Sequence, residues 1–137
     1  MVVDASVALC WFMKEEQTAI ANRLVGAAVD LIAPSLMLIE FANGLWKKTR
    51  RGEAAAEVAV VGMREIRRFI PRIVDVAELT EPALTLAREL NHPVYDCVYL
   101  ALARRRSTRL VTLDQEFTMR LANTRYRGDI VHLIDWE

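Results

Sequence analysis

Cysteine and histidine are scarce in this sequence, two of each in 137 residues, and none falls at the spacings that hold zinc. Two cysteines are too few for a disulfide framework. Cys10 and Cys97 each lie in an apolar segment where a small buried hydrophobe would serve, and a reduced, cytoplasmic setting is expected. Net charge is also missing: 18 basic and 18 acidic side chains cancel. No global field therefore draws the chain to nucleic acid or to an anionic membrane, and any polyanion must be held locally. No apolar run approaches the ~18 residues that would suggest a membrane span. The opening Val2-Val3-Asp4 lacks the basic start and apolar stretch of a signal peptide, so no membrane association is expected. No internal repeat, low-complexity tract or Ser/Gly-rich linker marks a boundary, and residues 1–137 read as one domain.

What is present is enough apolar matter, 53% of the chain, to bury a core without staples. The pattern alternates short apolar runs with helical stretches. Met1 to Val3 reads as a strand, with Ser6 a candidate cap for a helix through Phe12. A helix is expected over residues 15–27, then a strand over 31–33. Pro34 pre-sets φ for a helix to about Arg50, with Leu38, Ala42, Leu45 and Thr49 as its core stripe. Residues 53–69 form another helix, with Ala56, Val60, Met63 and Arg67 along one side, and Pro71 stops it. A strand over 73–76 precedes a helix capped by Thr80 and carrying Pro82 in its first turn. Pro93 opens a helix to about Arg105. Strands over 109–113 and 130–134 flank a short helix over 115–122. Strands separated by helices imply parallel βαβ units, hence a three-layer α/β/α domain with a central parallel sheet of about five strands. Trp11, Trp46 and Trp136 read as core or interface residues, His92 and His132 as isolated.

In such a sheet ligands bind beyond the carboxyl ends of the strands, and acids are placed there. Asp4 ends the first strand and Asp114 the fourth. Asp96 lies in the first turn of the helix opened by Pro93, and Glu40 lies on the helix after the second strand. Each has a bland alternative: a turn residue or cap for Asp4 and Asp114, a helix-dipole partner for Asp96, a solvated face for Glu40. If the four share one pocket, each pair at about 5 Å repels by roughly 3 kcal/mol at an effective dielectric of 20, and the cluster needs a counter-charge. An oxygen-only set suits Mg²⁺ or Mn²⁺ better than zinc, and such an ion beside carboxylates serves hydrolytic phosphoryl transfer. Asn43, Gly44 and Lys47 share the helix face of Glu40. Lys47 is placed to meet a phosphate, and Gly44 either admits a nucleic-acid backbone or serves helix packing. Ser6 and Thr112 flank the strand-end aspartates, as water-orienting groups or as local caps.

Val2-Val3-Asp4-Ala5-Ser6, then Leu38-Ile39-Glu40-Phe41-Ala42-Asn43, then the run from Pro93 through Asp96 to Ala103 followed by Thr112-Leu113-Asp114, together resemble the PIN-domain nucleases, specifically the toxins of VapC-type toxin–antitoxin pairs. The match spans nearly the whole chain. It implies an Mg²⁺- or Mn²⁺-dependent endoribonuclease acting on RNA, homodimerisation and neutralisation by a small cognate antitoxin. Carried over by position, Asp4, Asp96 and Asp114 would bind metal, and Glu40 would assist or activate water. Ala5 departs from the hydroxyl residue that many relatives carry beside the first aspartate. Two alternatives stay open. One is a PIN-like RNA-binding module without catalysis. The other is an aspartate-nucleophile phosphatase, against which stand Ser6 where a second aspartate belongs and the lack of a lysine before the final acids.

Overall fold

The structure, a computed structural model, describes residues 1–136. Five strands, β1 (Val2–Val3), β2 (Ile32–Pro34), β3 (Arg72–Val74), β4 (Leu110–Thr112) and β5 (Ile130–His132), form one sheet in the order β3-β2-β1-β4-β5. Every pairing is parallel, as strands joined by helical crossovers must be. Seven α-helices connect them: α1 (Ala5–Leu9), α2 (Thr18–Gly26), α3 (Leu36–Arg50), α4 (Ala56–Phe69), α5 (Thr80–Leu90), α6 (Val94–Arg105) and α7 (Gln115–Leu121). The three-layer α/β/α reading holds. From β1 the chain steps outward through β2 and β3, then returns to β4 on the other side of β1. The strand order therefore reverses between β1 and β4, where open parallel sheets bind their ligands.

The core runs along α6, whose residues from Cys97 to Ala103 are all buried, against β1, β2 and β4. A helix enclosed around its whole circumference reads as a continuous apolar run rather than a stripe, which is how Cys97-Val98-Tyr99-Leu100-Ala101-Leu102-Ala103 is written. Phe12 meets Phe41 and Phe69 edge-on at 5.5 and 5.1 Å, while Trp11 stacks on Phe69 at 5.3 Å. A side chain as deeply buried as Phe41 contributes on the order of 2–3 kcal/mol by removal from water.

Local readings of several helices need correction. Ser6 lies inside α1, and its cap is Asp4, whose carboxylate accepts from the Val7 amide. The buried face of α3 is Met37, Phe41 and Leu45 rather than Leu38, Ala42, Leu45 and Thr49. That helix is apolar at 36–39 and again at 41–42, so the sequence alone left its rotation ambiguous. In α4 the buried residues are Gly62 and Ile66, whereas Val60 and Met63 face solvent. Gly62 lets α3 approach: a Cβ there would stand 3.2 Å from Leu45 Cδ1. Pro34 is the last residue of β2 and not the first turn of a helix. Thr80 is the first residue of α5 and makes no cap.

Candidate active site

The register that pairs Val2 with Leu110 and Val3 with Val111 brings the next residues, Asp4 and Thr112, side by side at the carboxyl ends of β1 and β4. The Thr112 hydroxyl donates to Asp4 Oδ2 and accepts the Asp114 amide at 2.9 Å. The Ser6 hydroxyl donates to Asp4 Oδ1 at 2.6 Å and accepts the Leu113 amide at 3.1 Å. Each hydroxyl has one proton to give. Since each already accepts an amide hydrogen, that proton goes to Asp4, which with the Val7 amide at 3.0 Å takes three donors. Asp4 is thus held as an acceptor. Burial pushes its carboxyl above the ordinary range, the Ser6, Thr112 and Val7 bonds oppose that, and the charge of Asp96 adds to the rise.

Glu40, on α3, accepts from the Tyr99 hydroxyl. Tyr99 lies three residues after Asp96 on α6, so the two share a face. Burial, foremost, and the neighbouring Glu40 carboxylate drive the Tyr99 phenol far above its usual value, which keeps it a proton donor. Glu40 itself is raised chiefly by burial, with Tyr99 opposing and the charges of Asp4 and Asp96 adding. Asp4, Glu40 and Asp96 therefore feel one another electrostatically. No described Lys or Arg pairs with any of them.

Asp96 has a partner that the sequence reading missed. His92 Nε2 lies 2.6 Å from Asp96 Oδ2, and the imidazole stacks on Phe117 at 4.4 Å and 18°. His92 is not isolated, and its place four residues before Asp96 was the available signal. Asp114 caps α7 by accepting the Phe117 amide at 2.8 Å, so α7 holds both Asp114 and the ring that positions His92. The Tyr99 contact to Glu40 was missed too, although its spacing from Asp96 was legible.

The remaining candidates divide. Thr112 is buried, so its part is to hold Asp4 rather than to meet a substrate, and Ser6 is turned to the same carboxylate. Asn43 and Lys47 are exposed on the face of α3 that carries Glu40. Gly44 serves packing: a Cβ there would stand 2.5 Å from Leu9 Cδ1. Trp46, read as core or interface, is 53% exposed. A cavity of about 620 Å³ lies away from the acids, lined by Glu89, Arg104, Arg105, Arg125 and Tyr126 among others. Its charged groups are already paired, Arg105 with Glu78 and Arg125 with Glu89.

Among the described residues no group of three or more His, Cys, Asp or Glu is disposed to enclose an ion, so there is no ready-made ligand cage. Mg²⁺ does not require one. It keeps several waters and is commonly held by one or two carboxylates, and Asp4 and Asp96, oxygen donors with which no described Lys or Arg pairs, fit that demand.

This fold and this edge of acids define a class. Residues 1–119 match the PIN domain family, and the chain belongs to it. Ribonuclease VapC3 of Pyrobaculum aerophilum is 35% identical over 118 residues, covering 85% of this chain and 90% of that protein, which puts the chain with the VapC-type members. The crystal structure of Mycobacterium tuberculosis VapC20, described as a sarcin–ricin loop cleaving toxin, superposes with a TM-score of 0.65 at 21% identity, covering 86% of this chain and 92% of that one. A toxin–antitoxin complex from Klebsiella pneumoniae gives 0.67 at 16% identity, with 96% of each chain covered. Among the described residues no helix is long and apolar enough to cross a membrane.

Proposed function

We propose that this chain is an Mg²⁺- or Mn²⁺-dependent endoribonuclease, the toxin of a type II toxin–antitoxin pair, working in the cytoplasm as a homodimer that a small cognate antitoxin neutralises. The observation that carries the reading is a set of carboxylates at the β1/β4 switch point that repel one another and with which no described Lys or Arg pairs. A protein keeps such a set where a cation or a phosphate-bound cation is to be captured. The ribonuclease name of the VapC3 relative and the toxin–antitoxin assembly of the Klebsiella neighbour support the same substrate and partner.

Asp4 and Asp96 would hold the ion, and Asp114 would complete the acidic edge. A hard dication bound there supplies Lewis-acid stabilisation of the charge that gathers on a phosphodiester in the transition state. The chain's own residues supply the rest. Ser6 and Thr112 fix both oxygens of Asp4, and His92 fixes one oxygen of Asp96. Glu40, its carboxyl raised above the ordinary range by burial and held by Tyr99, would take a proton from an attacking water. Tyr99 orients Glu40 and stays protonated throughout. Asn43 and Lys47 lie on the same helix face for contacts to the RNA backbone.

The test compares the wild type with Asp4→Asn and Asp96→Asn, scoring growth arrest, RNA fragments in Mg²⁺ or Mn²⁺, and Mn²⁺ binding by calorimetry. Both variants should fold, lose toxicity and bind Mn²⁺ more weakly; equal toxicity of all three would refute the assignment. The lack of a ready-made ligand cage favours a second reading, an RNA-binding module without catalysis. Antitoxin-free wild type that binds RNA but leaves it intact in both metals would establish that instead.

A further inference from the structure

We propose that Trp46, Lys47 and Arg50, at the carboxyl end of α3, form a platform for single-stranded RNA, with a base stacked on the indole and flanking phosphates on the two cations. The inference rests on the nuclease reading and extends it from the reacting acids to the grip on substrate. Trp11 and Trp136 are half-buried, and the Trp11 indole donates to the Ala21 carbonyl at 2.8 Å. Trp46 instead stands 53% exposed. The Arg50 guanidinium lies over one face of its ring at 5.2 Å, so the indole already holds a planar cation, and a base stacks on the ring beside it or in its place. Trp46, Lys47, Arg50 and Arg51 line one pocket.

Two of the three cations of this pocket, Lys47 and Arg50, differ from the charges beside them. Lys48 is tied to Glu15 at 2.6 Å and to Glu53 at 2.8 Å, and Arg51 reaches Glu53 at 3.9 Å. Lys47 and Arg50 make no ion pair with any described residue. In a chain whose charges sum to zero, this is a local positive surface left uncancelled. Cations near a helix carboxyl end are favoured by the backbone dipole, which accounts for the charges but not for an indole left half in water. Base stacking on an aromatic face beside cations is how proteins grip single strands without reading their sequence. The position suits the acids as well. Lys47 lies two turns from Glu40 along one face, and Trp46 lies about 9 Å from Glu40 along the helix axis and about a third of a turn around it, so a strand leaving Glu40 along α3 reaches Lys47 with the indole to its side.

The experiment measures fluorescence anisotropy of a short mixed-sequence single-stranded RNA with the full-length protein in chelator, across a salt series, for wild type, Trp46→Ala, Trp46→Phe and Arg50→Gln. Melting curves by circular dichroism certify that each variant is folded. Trp46→Ala should weaken binding roughly five- to 150-fold with the salt slope unchanged, and Trp46→Phe should recover most of the loss. Arg50→Gln should reduce the salt slope by about one. Trp46→Ala binding like wild type would overturn the platform. The same conclusion would follow if Trp46→Ala lost only a cognate antitoxin, which would assign the face to a protein. Cleavage in Mg²⁺ separates the two layers. If wild type cuts RNA and Trp46→Ala cuts it with an unchanged KM, the platform alone fails; if wild type neither binds nor cuts RNA, the nuclease reading fails with it.

Discussion

Replacing Thr112 by valine changes almost nothing in shape and removes one oxygen, so it isolates what that oxygen does. Thr112 is 1% exposed, and a methyl in place of its hydroxyl finds no water. Two bonds vanish. Asp4 Oδ2 loses its donor, and a hydrogen bond to a charged group contributes roughly 1.5–3 kcal/mol. The Asp114 amide loses its acceptor, and a buried amide left without a partner costs about 1–3 kcal/mol. The added apolar surface returns no more than about 1 kcal/mol. The net loss is therefore on the order of 3 kcal/mol, against about 1 kcal/mol for Thr112→Ser, which keeps the oxygen and removes only a methyl. Urea denaturation of the two variants measures both. A second readout is independent of stability: the Thr112 bond holds the Asp4 carboxyl down against burial, so its removal raises that carboxyl further. The acid limb of the pH–rate profile should then move to higher pH in Thr112→Val and stay put in Thr112→Ser. A valine variant within 1 kcal/mol of wild type, with an unmoved acid limb, would show that the hydroxyl relay does not hold the site.

Three further outcomes follow from the same geometry. Asp4 and Glu40 have raised carboxyls in the folded chain, so as pH climbs from the ordinary carboxylate range through those raised values the unfolded chain gives up protons first, and folding stability falls. Asp4→Asn, which leaves Oδ1 for Ser6 and Val7, should therefore gain in melting temperature over wild type as pH rises in metal-free buffer; a difference that does not vary with pH would contradict the burial argument. Tyr99→Phe strips Glu40 of its donor, and a stability loss of roughly 1–2 kcal/mol should come with a kcat acid limb displaced upward; calorimetry and rate profiles that match wild type would remove Tyr99 from the positioning of Glu40. His92→Phe keeps a ring for Phe117 but loses the nitrogen on Asp96, so Mn²⁺ affinity by calorimetry should drop about tenfold or more with partial recovery in His92→Gln, and unchanged affinity would make His92 a packing residue only.

Much of this molecule could be read from its residues, because the decisive signals were short and punctuated. Asp4 after Val2-Val3, and Asp114 after Leu110-Val111-Thr112-Leu113, mark strand ends by composition alone, and helical segments between strands require the parallel sheet. The phase of α3 could not be read that way: Leu36, Met37, Leu38 and Ile39 are all apolar, and only packing against α1 and α4 decides that Met37 turns inward while Ile39 stands exposed. The face of α4 misled for the opposite reason, since Val60 and Met63 are apolar yet outside, and Gly62, with no side chain to declare itself, is the residue inside. The polar ties of the site were harder still. The Thr112–Asp4 and Tyr99–Glu40 bonds join residues 108 and 59 apart in sequence, a proximity that exists only once the strands are ordered. His92 was within reach, four residues from Asp96, although it lies before Pro93 and outside α6.

The relay through Ser6 and Thr112 also bears on the life of the chain during synthesis. The first strand leaves the ribosome early, but Oδ2 of its aspartate waits for Thr112, the Ser6 hydroxyl on Oδ1 waits for the Leu113 amide, and β1 has no neighbour on that side until β4 arrives. A polypeptide interrupted between Cys97 and Val111 carries Asp4, Glu40 and Asp96 without the hydroxyl and the strand that organise them. A half-made copy therefore lacks an organised acidic edge until β4 is out.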